Sequence, residues 1–189
     1  MDMDVMNKIK TVCFTGHRPD RLGGYEPNNP VDLWVKERLR GAVKRAVIRG
    51  VVTFISGGAL GVDQWAADIV LELRSEQEKR SPIGHRTIEL IIARPFPSQP
   101  NKWPTEARRH YEKILQKADR IVETGDDPYA AWKLQKRNEW MVDNSDATIA
   151  IWDGTPSGTA NTVEYAQKQG KPVLVIDPEK RTEEWIIVE

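Results

Sequence analysis

Three glycines stand where a predicted strand passes into a predicted helix. Residues 53–67 read TFISGGALGVDQWAA: four residues suited to a buried strand, then Gly57, Gly58 and Gly61, then an Ala-rich run. Glycine accepts the positive φ of a tight turn. It also lets a ligand approach backbone N–H groups at the N-terminus of a helix. The turn therefore serves chain geometry, ligand binding or both.

Similar residue types follow three other apolar segments. Glycine, hydroxyl and cationic groups all donate hydrogen bonds to anionic oxygen, so together they suit a phosphate or a phosphorylated sugar. Each group alone has an ordinary explanation, such as turn geometry for a glycine or helix capping for Ser157 or Thr159. The predicted ligand-binding residues are Gly16, His17, Arg18, Ser56, Gly57, Gly58, Asp63, Arg94, Ser157, Gly158 and Thr159.

Short Val/Ile-rich runs alternate with helical patterns along the whole chain. This alternation predicts an α/β fold in a single domain over residues 1–189, with a core at about 10–177 and a short C-terminal extension. The sheet should be mainly parallel, with helices on both faces forming three layers, and its ligand should bind outside the carboxyl ends of the strands. The predicted strands are Lys10–Thr15, Val51–Ile55, Ile88–Ala93, Arg120–Glu123, Ala147–Trp152 and Pro172–Ile176, and the predicted helices cover about 31–49, 62–79, 104–118, 131–144 and 159–169.

Two further residues belong to predicted helices that flank this edge. Arg137 and Met141 are four residues apart and share one helical face, so Arg137 points along the face on which Met141 packs inward. Glu164 lies in the first turns of the last predicted helix, where the helix dipole favours a carboxylate. Both side chains also have an ordinary reading as solvated surface residues.

Composition limits the classes of function. The chain has 28 basic and 28 acidic residues, and this zero net charge counts against duplex-DNA binding, although it leaves room for a local basic patch. No histidine, cysteine or carboxylate cluster has zinc spacing, and neither the Walker A nor the GxGxxG pattern occurs, so we expect no metal and no cofactor. The N-terminus is polar, and no apolar run approaches the roughly 20 residues of a membrane span, so we expect a cytoplasmic protein with no membrane contact.

Four segments together resemble the YspA/YpsA-like branch of the SLOG superfamily. They are TGHRP at 15–19, SGGALGVDQWAA at 56–67, QKRNEWMVDNSD at 135–146 and GTANTVEYA at 158–166. The resemblance covers about residues 10–177 and implies a Rossmann-like fold. It also implies binding of a nucleotide or a nucleotide-derived ligand, often in a homodimer or larger homo-oligomer.

The resemblance points to two relatives with different activities. SGGALGVD is similar to the glycine-rich turn of the DNA processing protein A (DprA) family, which binds single-stranded DNA. The second half resembles the Lonely Guy (LOG) phosphoribohydrolases, which cleave the N-glycosidic bond of nucleoside monophosphates. Arg137 matches the LOG arginine, and Glu164 is the approximate match to its glutamate, standing six residues after Gly158 where the LOG pattern has four.

The sequence therefore indicates three candidate functions. The first is a sensor or processing protein that binds a nucleotide-derived phosphorylated ligand at the carboxyl edge of the sheet. The second is a LOG-like phosphoribohydrolase in which Arg137 and Glu164 are catalytic. The third is DprA-like binding of single-stranded DNA. We expect it less, because Trp34, Trp65 and Trp140 have helical positions that predict a place in the core rather than base stacking.

Overall fold

The computed structural model describes residues 8–26, 29–80 and 88–187. The six predicted strands and five predicted helices occur in the predicted order, and both ends of each lie within two residues of the prediction. A short 3-10 turn, Pro19–Arg21, follows the first strand. The strands are β1 Thr11–Gly16, β2 Thr53–Ser56, β3 Glu89–Arg94, β4 Arg120–Glu123, β5 Ala147–Ile151, β6 Val173–Asp177 and β7 Thr182–Ile186, and the helices are α1 Pro30–Ile48, α2 Val62–Arg80, α3 Thr105–Lys117, α4 Ala131–Asp143 and α5 Gly158–Lys168.

All seven strands lie in one sheet, in the order β4-β3-β2-β1-β5-β6-β7. The first six are parallel, and β7 pairs antiparallel with β6. The predicted C-terminal extension therefore contains a strand that the sequence did not predict. Charged residues interrupt the apolar pattern of β7, because this edge strand is mostly exposed.

Side chains of the strands alternate between two apolar layers. On β1, Val12 and Phe14 face the layer formed with α1, α2 and α3, whereas Cys13 faces the layer formed with α4 and α5. On β5, Ile149 and Ala150 divide in the same way. This alternation is the two-residue period of a strand that is buried on both faces. It confirms the predicted α/β sandwich with helices on both faces.

Local capping residues define where the helices begin and end. Asn29 caps α1, because its side chain accepts hydrogen bonds from the N–H groups of Val31 and Asp32 at 3.1 and 2.9 Å. Gly50 and Gly170, predicted to end helices, have φ of +89° and +67°. Such left-handed values after a helix are inexpensive only for glycine.

The strand order reverses between β1 and β5, which are hydrogen-bonded neighbours. Gly16, at the end of β1, is paired with Ile151, at the end of β5. Two helices on opposite sides of the sheet leave from such a reversal, and the crevice outside it is the usual ligand position in this architecture. The predicted residues after β1, β2, β3 and β5 thus share the carboxyl edge of the sheet.

Candidate functional site: an arginine-lined glycine turn

Arg137 is packed against the glycine turn that follows β2. A Cβ atom added to Gly57 would lie 1.4 Å from Nη1 of Arg137 and 2.6 Å from Oδ2 of Asp63. Arg137 belongs to the inward face of α4, together with Lys133 and Met141, and is only 5% exposed. A side chain at position 57 would therefore displace the guanidinium from its present position.

The guanidinium of Arg137 has few partners for its five N–H donors. Nη1 lies 3.4 Å from Oδ2 of Asp63, a long contact for an ion pair. Its Nε atom is buried and has no hydrogen-bond partner among the described residues. An arginine buried in this way retains donors that an anionic ligand could satisfy, because an unpaired buried donor costs free energy.

Burial disfavours the charge on both members of this pair. It raises the pKa of Asp63, and this rise is opposed first by Arg137, then by the N–H of Ala59 and by Arg18. It lowers the pKa of Arg137, and the carboxylate of Asp63 opposes that change. Arg18 is exposed, and its charge acts on both groups. The turn is thus a partly desolvated site with an excess of positive charge.

Arg94 and Tyr111 form the neighbouring wall. Arg94 pairs with Glu123 through Nη2, while its Nε atom is buried without a partner among the described residues. Burial raises the pKa of Tyr111 to about 12, although nearby Arg94 and Arg137 act in the opposite direction. Two arginines with unpaired Nε donors therefore lie beside Tyr111. Residues 56–61, with Arg94 and Arg137 beside them, are called the arginine-lined glycine turn below.

The backbone of the turn fits around the ring of Tyr111. Gly58 has a φ of +65°, and a Cβ there would lie 2.6 Å from Cε2 of Tyr111. Gln99 donates to the carbonyl of Gly57 at 3.4 Å. Sequence reasoning missed both residues. Gln99 lies five residues beyond the end of β3, Tyr111 lies within α3, and neither carries a motif, so only the tertiary fold shows that they contact the turn.

Ser56 and Asp63 hold the turn in shape. The Ser56 hydroxyl donates to the backbone carbonyl of Asp63 at 2.7 Å and accepts from the N–H of Gly58 at 3.1 Å. The Asp63 carboxylate also accepts from the N–H of Ala59 at 3.3 Å. The hydroxyl of Ser56 and these two N–H groups already have internal partners, so they are not free donors for a ligand. The side chains of Arg94 and Arg137 each keep a buried Nε that has no partner among the described residues.

A second cluster joins the loops that follow β1 and β5. Nε2 of His17 lies 2.9 Å from Oδ1 of Asp153, and His17 is only 3% exposed. Nε2 is also 3.4 Å from the N–H of Asp153, but one nitrogen cannot donate and accept there at once, and the shorter contact makes Nε2 the donor. Oδ1 of Asp153 accepts from the N–H of Thr155 at 2.9 Å, and Arg21 donates to Oγ1 of Thr155 at 2.8 Å.

This cluster has a strong electrostatic signature at Asp153. Burial by itself raises the pKa of the carboxyl, but hydrogen bonds from Thr155 and His17 outweigh it and lower the pKa to about 2. The network fastens the two loops together across the strand reversal. Asp153, Thr155 and Arg21 were not among the predicted residues. The sequence did contain a signal for this site, since Asp153 stands two residues after the end of β5.

The loop before α5 has a capping role. Ser157 is the N-cap, and its hydroxyl accepts from the N–H of Ala160 at 3.1 Å. Gly158 is exposed with open space where a Cβ would stand, and Thr159 is buried. The predicted residues of this loop therefore stand at the correct edge, with Ser157 already used by its own helix.

Glu164 lies apart from the arginine-lined turn. It is exposed on α5, and no hydrogen bond or ion pair joins it to Arg137 or Asp63 among the described residues. The position four residues after Gly158 is Thr162, which is fully buried and donates to the carbonyl of Gly158 at 2.9 Å. The carboxylate beside Arg137 is Asp63.

Three cavities lie away from the turn. The smallest of the three, about 40 Å³, has Trp185 in its lining and lies at the amino-terminal side of the sheet. One of about 470 Å³ lies between Lys8 and Pro172, and one of about 620 Å³ runs along α2 beside Lys117. Within residues 8–26, 29–80 and 88–187, no group of three or more His, Cys, Asp or Glu side chains could hold a metal ion. In the same residues, no helix has both the length and the apolar character that a bilayer span requires.

Comparison with solved structures places the fold beside DNA processing protein A. One neighbour is a structure that concerns the single-stranded DNA binding mode of DprA from Helicobacter pylori. It matches with a TM-score of 0.56 and 24% identity over 92% of this chain and 68% of that chain. DprA from Streptococcus pneumoniae matches with a TM-score of 0.58 and 18% identity over 90% of this chain and 51% of that one. At these identities the likeness is one of fold.

Relatives by sequence are closer. The SPbeta prophage-derived protein YoqJ of Bacillus subtilis is 35% identical over 152 residues, which cover 74% of this chain and 84% of YoqJ. A UPF0398 protein of Bacillus thuringiensis is 30% identical over 165 residues, which cover 86% of this chain and 85% of the relative. The family profile described as YspA SLOG matches residues 12–180, which include every residue of the glycine turn and of the two joined loops. The chain therefore belongs to the YspA SLOG family.

Proposed function

We propose that this protein binds the phosphate of a nucleotide or nucleotide-derived ligand at the arginine-lined glycine turn. The observation that carries the proposal is Arg137, a buried guanidinium with an unpartnered Nε, packed on a glycine that has no room for a side chain. Arg94 adds a second buried Nε without a partner in the described chain, and the charge of Arg18 reaches the same site. Guanidinium groups bind phosphate with paired N–H donors, which a lysine does not offer.

A thermal-shift panel tests this proposal. Inorganic phosphate, nucleoside mono- and diphosphates and ADP-ribose are each added to the full chain, and a ligand that binds the folded state raises the apparent Tm by mass action. We expect at least one nucleotide to raise Tm in a concentration-dependent way. A panel in which no phosphorylated compound shifts Tm contradicts the proposal.

Arg18→Ala is the variant best suited to locate the site. Arg18 is exposed, so its removal leaves no buried partner unpaired, whereas removal of Arg137 would strand Asp63 and cost about 3–5 kcal/mol of stability. Arg49→Ala is the matched control, because Arg49 is an equally exposed arginine at the end of α1. The ligand-induced shift should shrink in Arg18→Ala and remain in Arg49→Ala.

Hydrolysis of an N-glycosidic bond is the second candidate, and Asp63 favours it. This carboxylate is buried beside Arg137, and its burial raises its pKa above the ordinary value, as is common for carboxyl groups that take part in proton transfer. In this form of the hypothesis Asp63, rather than Glu164, acts with Arg137. Release of free base from nucleoside monophosphates, measured by chromatography, should be abolished by Asp63→Asn and retained by Glu164→Gln.

Two features bear on whether the protein only binds its ligand or also hydrolyses it. The LOG pattern has its glutamate four residues after the glycine, where this chain has Thr162, and Glu164 is exposed. These differences favour a ligand sensor over a hydrolase. If no nucleoside monophosphate releases base while the same compounds raise Tm, the sensor is supported and the hydrolase is rejected for those substrates.

The assembly state remains a prediction. The resemblance implies a homodimer or larger homo-oligomer, and β4 is an edge strand with three exposed residues, including Ile121 at 41% exposure. Light scattering on the purified chain measures the mass directly. A monomer at every accessible concentration would contradict the predicted homo-oligomer without affecting the proposed phosphate site.

A further inference from the structure

Two exposed aromatic rings lie beside the N-terminus of α4. Tyr129 is 59% exposed and Trp132 is 61% exposed, whereas Trp34, Trp65 and Trp140 pack against the apolar layers as the sequence predicts. Large aromatic rings usually have much of their area buried. Two neighbouring exposed rings therefore call for a partner.

Neighbouring side chains contact both rings, an aromatic ring in the case of Tyr129 and two lysines in the case of Trp132. Tyr129 packs edge-on against buried Phe96, with ring centroids 5.6 Å apart and planes at 89°. The ammonium groups of Lys133 and Lys136 lie 5.6 and 5.9 Å from the centre of the Trp132 ring. Fixed contacts of this kind restrict the rings before any ligand arrives.

The charges around the rings leave one cation available to a partner. Lys133 is buried and bound to Asp126 and to the carbonyl of Pro128, so its charge is matched within the protein. Asp127 accepts from Ser98 and is also local. Lys136 is exposed, and no hydrogen bond or ion pair occupies it among the described residues. An occupant of this surface should thus present both a flat apolar ring and an anionic group.

Two short segments of the chain link the rings to the arginine-lined turn. Phe96, under Tyr129, is two residues after Arg94. Trp132 belongs to the same helix as Arg137 and precedes it by five residues, about 7.5 Å along the helix axis. Because five residues rotate a helix by about 140°, Trp132 faces outward while Arg137 faces the glycine turn.

This separation sets the size of a ligand that reaches both places. It combines about 7.5 Å along the helix axis with most of a helix diameter of about 10 Å, which gives about 12 Å. A single nucleotide joins its base and phosphate through one sugar and is too short to stack on Trp132 while its own phosphate lies on Arg137. A strand of two or more nucleotides reaches both, with one phosphate at the turn and the base of a neighbouring nucleotide on the ring.

We propose that Tyr129 and Trp132 form a base-stacking subsite, which takes an unpaired nucleobase of a single-stranded oligonucleotide whose phosphate lies at the arginine-lined turn. The inference rests on the proposed phosphate site and adds the class of ligand and a second point of contact. Stacking on aromatic rings tolerates any base, so the subsite selects unpaired strands rather than a sequence.

Fluorescence anisotropy with a labelled oligothymidine of about 16 nucleotides tests the subsite. Trp132→Ala and Tyr129→Ala should each weaken binding by roughly five-fold or more, and Trp132→Phe should restore most of the affinity. Ile48→Ala is the matched control, because Ile48 is 83% exposed at the far end of α1. Both ring variants remove exposed side chains, so their folding, checked by Tm, should match the wild type.

Thymidine monophosphate separates this inference from the phosphate site. Arg18→Ala should weaken both probes, whereas Trp132→Ala should weaken the oligothymidine and leave the mononucleotide unchanged. Wild-type affinity for oligothymidine in both ring variants, or no binding of the wild type to it, overturns the inference. An equal loss of mononucleotide binding in Trp132→Ala also overturns it, because a single nucleotide would then reach the ring. If neither probe binds and other phosphorylated compounds also fail, the phosphate site itself is rejected.

Discussion

Gly57 is a residue whose identity is explained by the geometry of the candidate site. A glycine after a strand is commonly a matter of turn geometry, and Gly58 and Gly61, with φ of +65° and +92°, fit that explanation. Gly57 is different, since its φ is not in the left-handed region and its need for glycine comes from the guanidinium of Arg137. The need for glycine at one of these three positions therefore comes from a side chain of α4.

Gly57→Ala should displace Arg137 and weaken ligand binding, although it adds only one methyl group. The added methyl would overlap Nη1 of Arg137 at 1.4 Å, so the guanidinium must move. We expect a loss of stability of about 1–3 kcal/mol, as for other overpacked positions, and loss of the ligand-induced rise in Tm. Differential scanning fluorimetry with and without ligand measures both quantities.

Gly41→Ala is the control for that substitution. Its Cβ would meet only the tip of the flexible Arg45 side chain, at 3.3 Å, and Gly41 lies within α1. Alanine there should be neutral or stabilise by up to about 1 kcal/mol. Normal ligand binding by Gly57→Ala would show that Arg137 does not need its present position.

Asp153 predicts a specific dependence of stability on acid. Its pKa in the folded protein, about 2, lies below the ordinary value of 3.8. A lowered carboxyl pKa stabilises the fold above the ordinary value, and that stabilisation is lost as the pH falls toward 2. Discounted for partial exposure, the contribution is roughly 1–2 kcal/mol.

Asp153→Asn isolates this contribution. Urea unfolding at pH 7 should show the variant less stable by that amount, and the difference from wild type should narrow between pH 5 and pH 3. A difference that stays constant over this range would mean that the contacts of Asp153 with His17 and Thr155 do not depend on its charge.

At the scale of elements, the start of α5 has an observed capping role and a predicted ligand-binding role, which can be tested separately. Ser157 caps the helix through the N–H of Ala160, and it was also predicted to bind ligand. Ser157→Ala should cost about 1 kcal/mol through loss of the cap. Ser157→Asp should keep the stability, because aspartate caps well and suits the helix dipole.

The same pair of variants tests the loop for anion binding. If the loop receives the phosphate, the added carboxylate of Ser157→Asp should weaken ligand binding more than Ser157→Ala does. Equal affinities in the two variants would limit Ser157 to capping. Titration of each variant with the best ligand of the thermal-shift panel gives the comparison.

At the scale of the whole molecule, zero net charge limits how nucleic acid could bind. The 28 basic and 28 acidic residues give no general attraction to a polyanion, so affinity must come from a few local cations such as Arg18, Arg94, Arg137 and Lys136. For two to three phosphates on a single strand, the logarithm of affinity should fall against the logarithm of salt with a slope of about −1.5 to −2. Anisotropy titrations over a range of NaCl concentrations measure it. A much steeper slope would require a larger basic surface than this cluster.

Much of the fold could be predicted from the sequence, because the patterns that indicate buried strands and helix ends are local. Six strands and five helices were predicted with small errors at their ends, since buried parallel strands are short apolar runs and helix ends carry glycine or capping residues. β7 was missed because it is an exposed edge strand, and its sequence Thr-Glu-Glu-Trp-Ile gains its place only by pairing with β6.

The sequence by itself determined that glycine, hydroxyl and cationic groups gather at the carboxyl edge of a parallel sheet, because that follows from alternation along one chain. Only the tertiary structure decided which of them lie together. It brought Arg137 onto Gly57, left Glu164 exposed, tied His17 to Asp153 and added Tyr111, since these contacts join residues from separate elements. Spacing along the chain constrains contacts within a strand or a helix, and contacts between elements depend on how the layers pack.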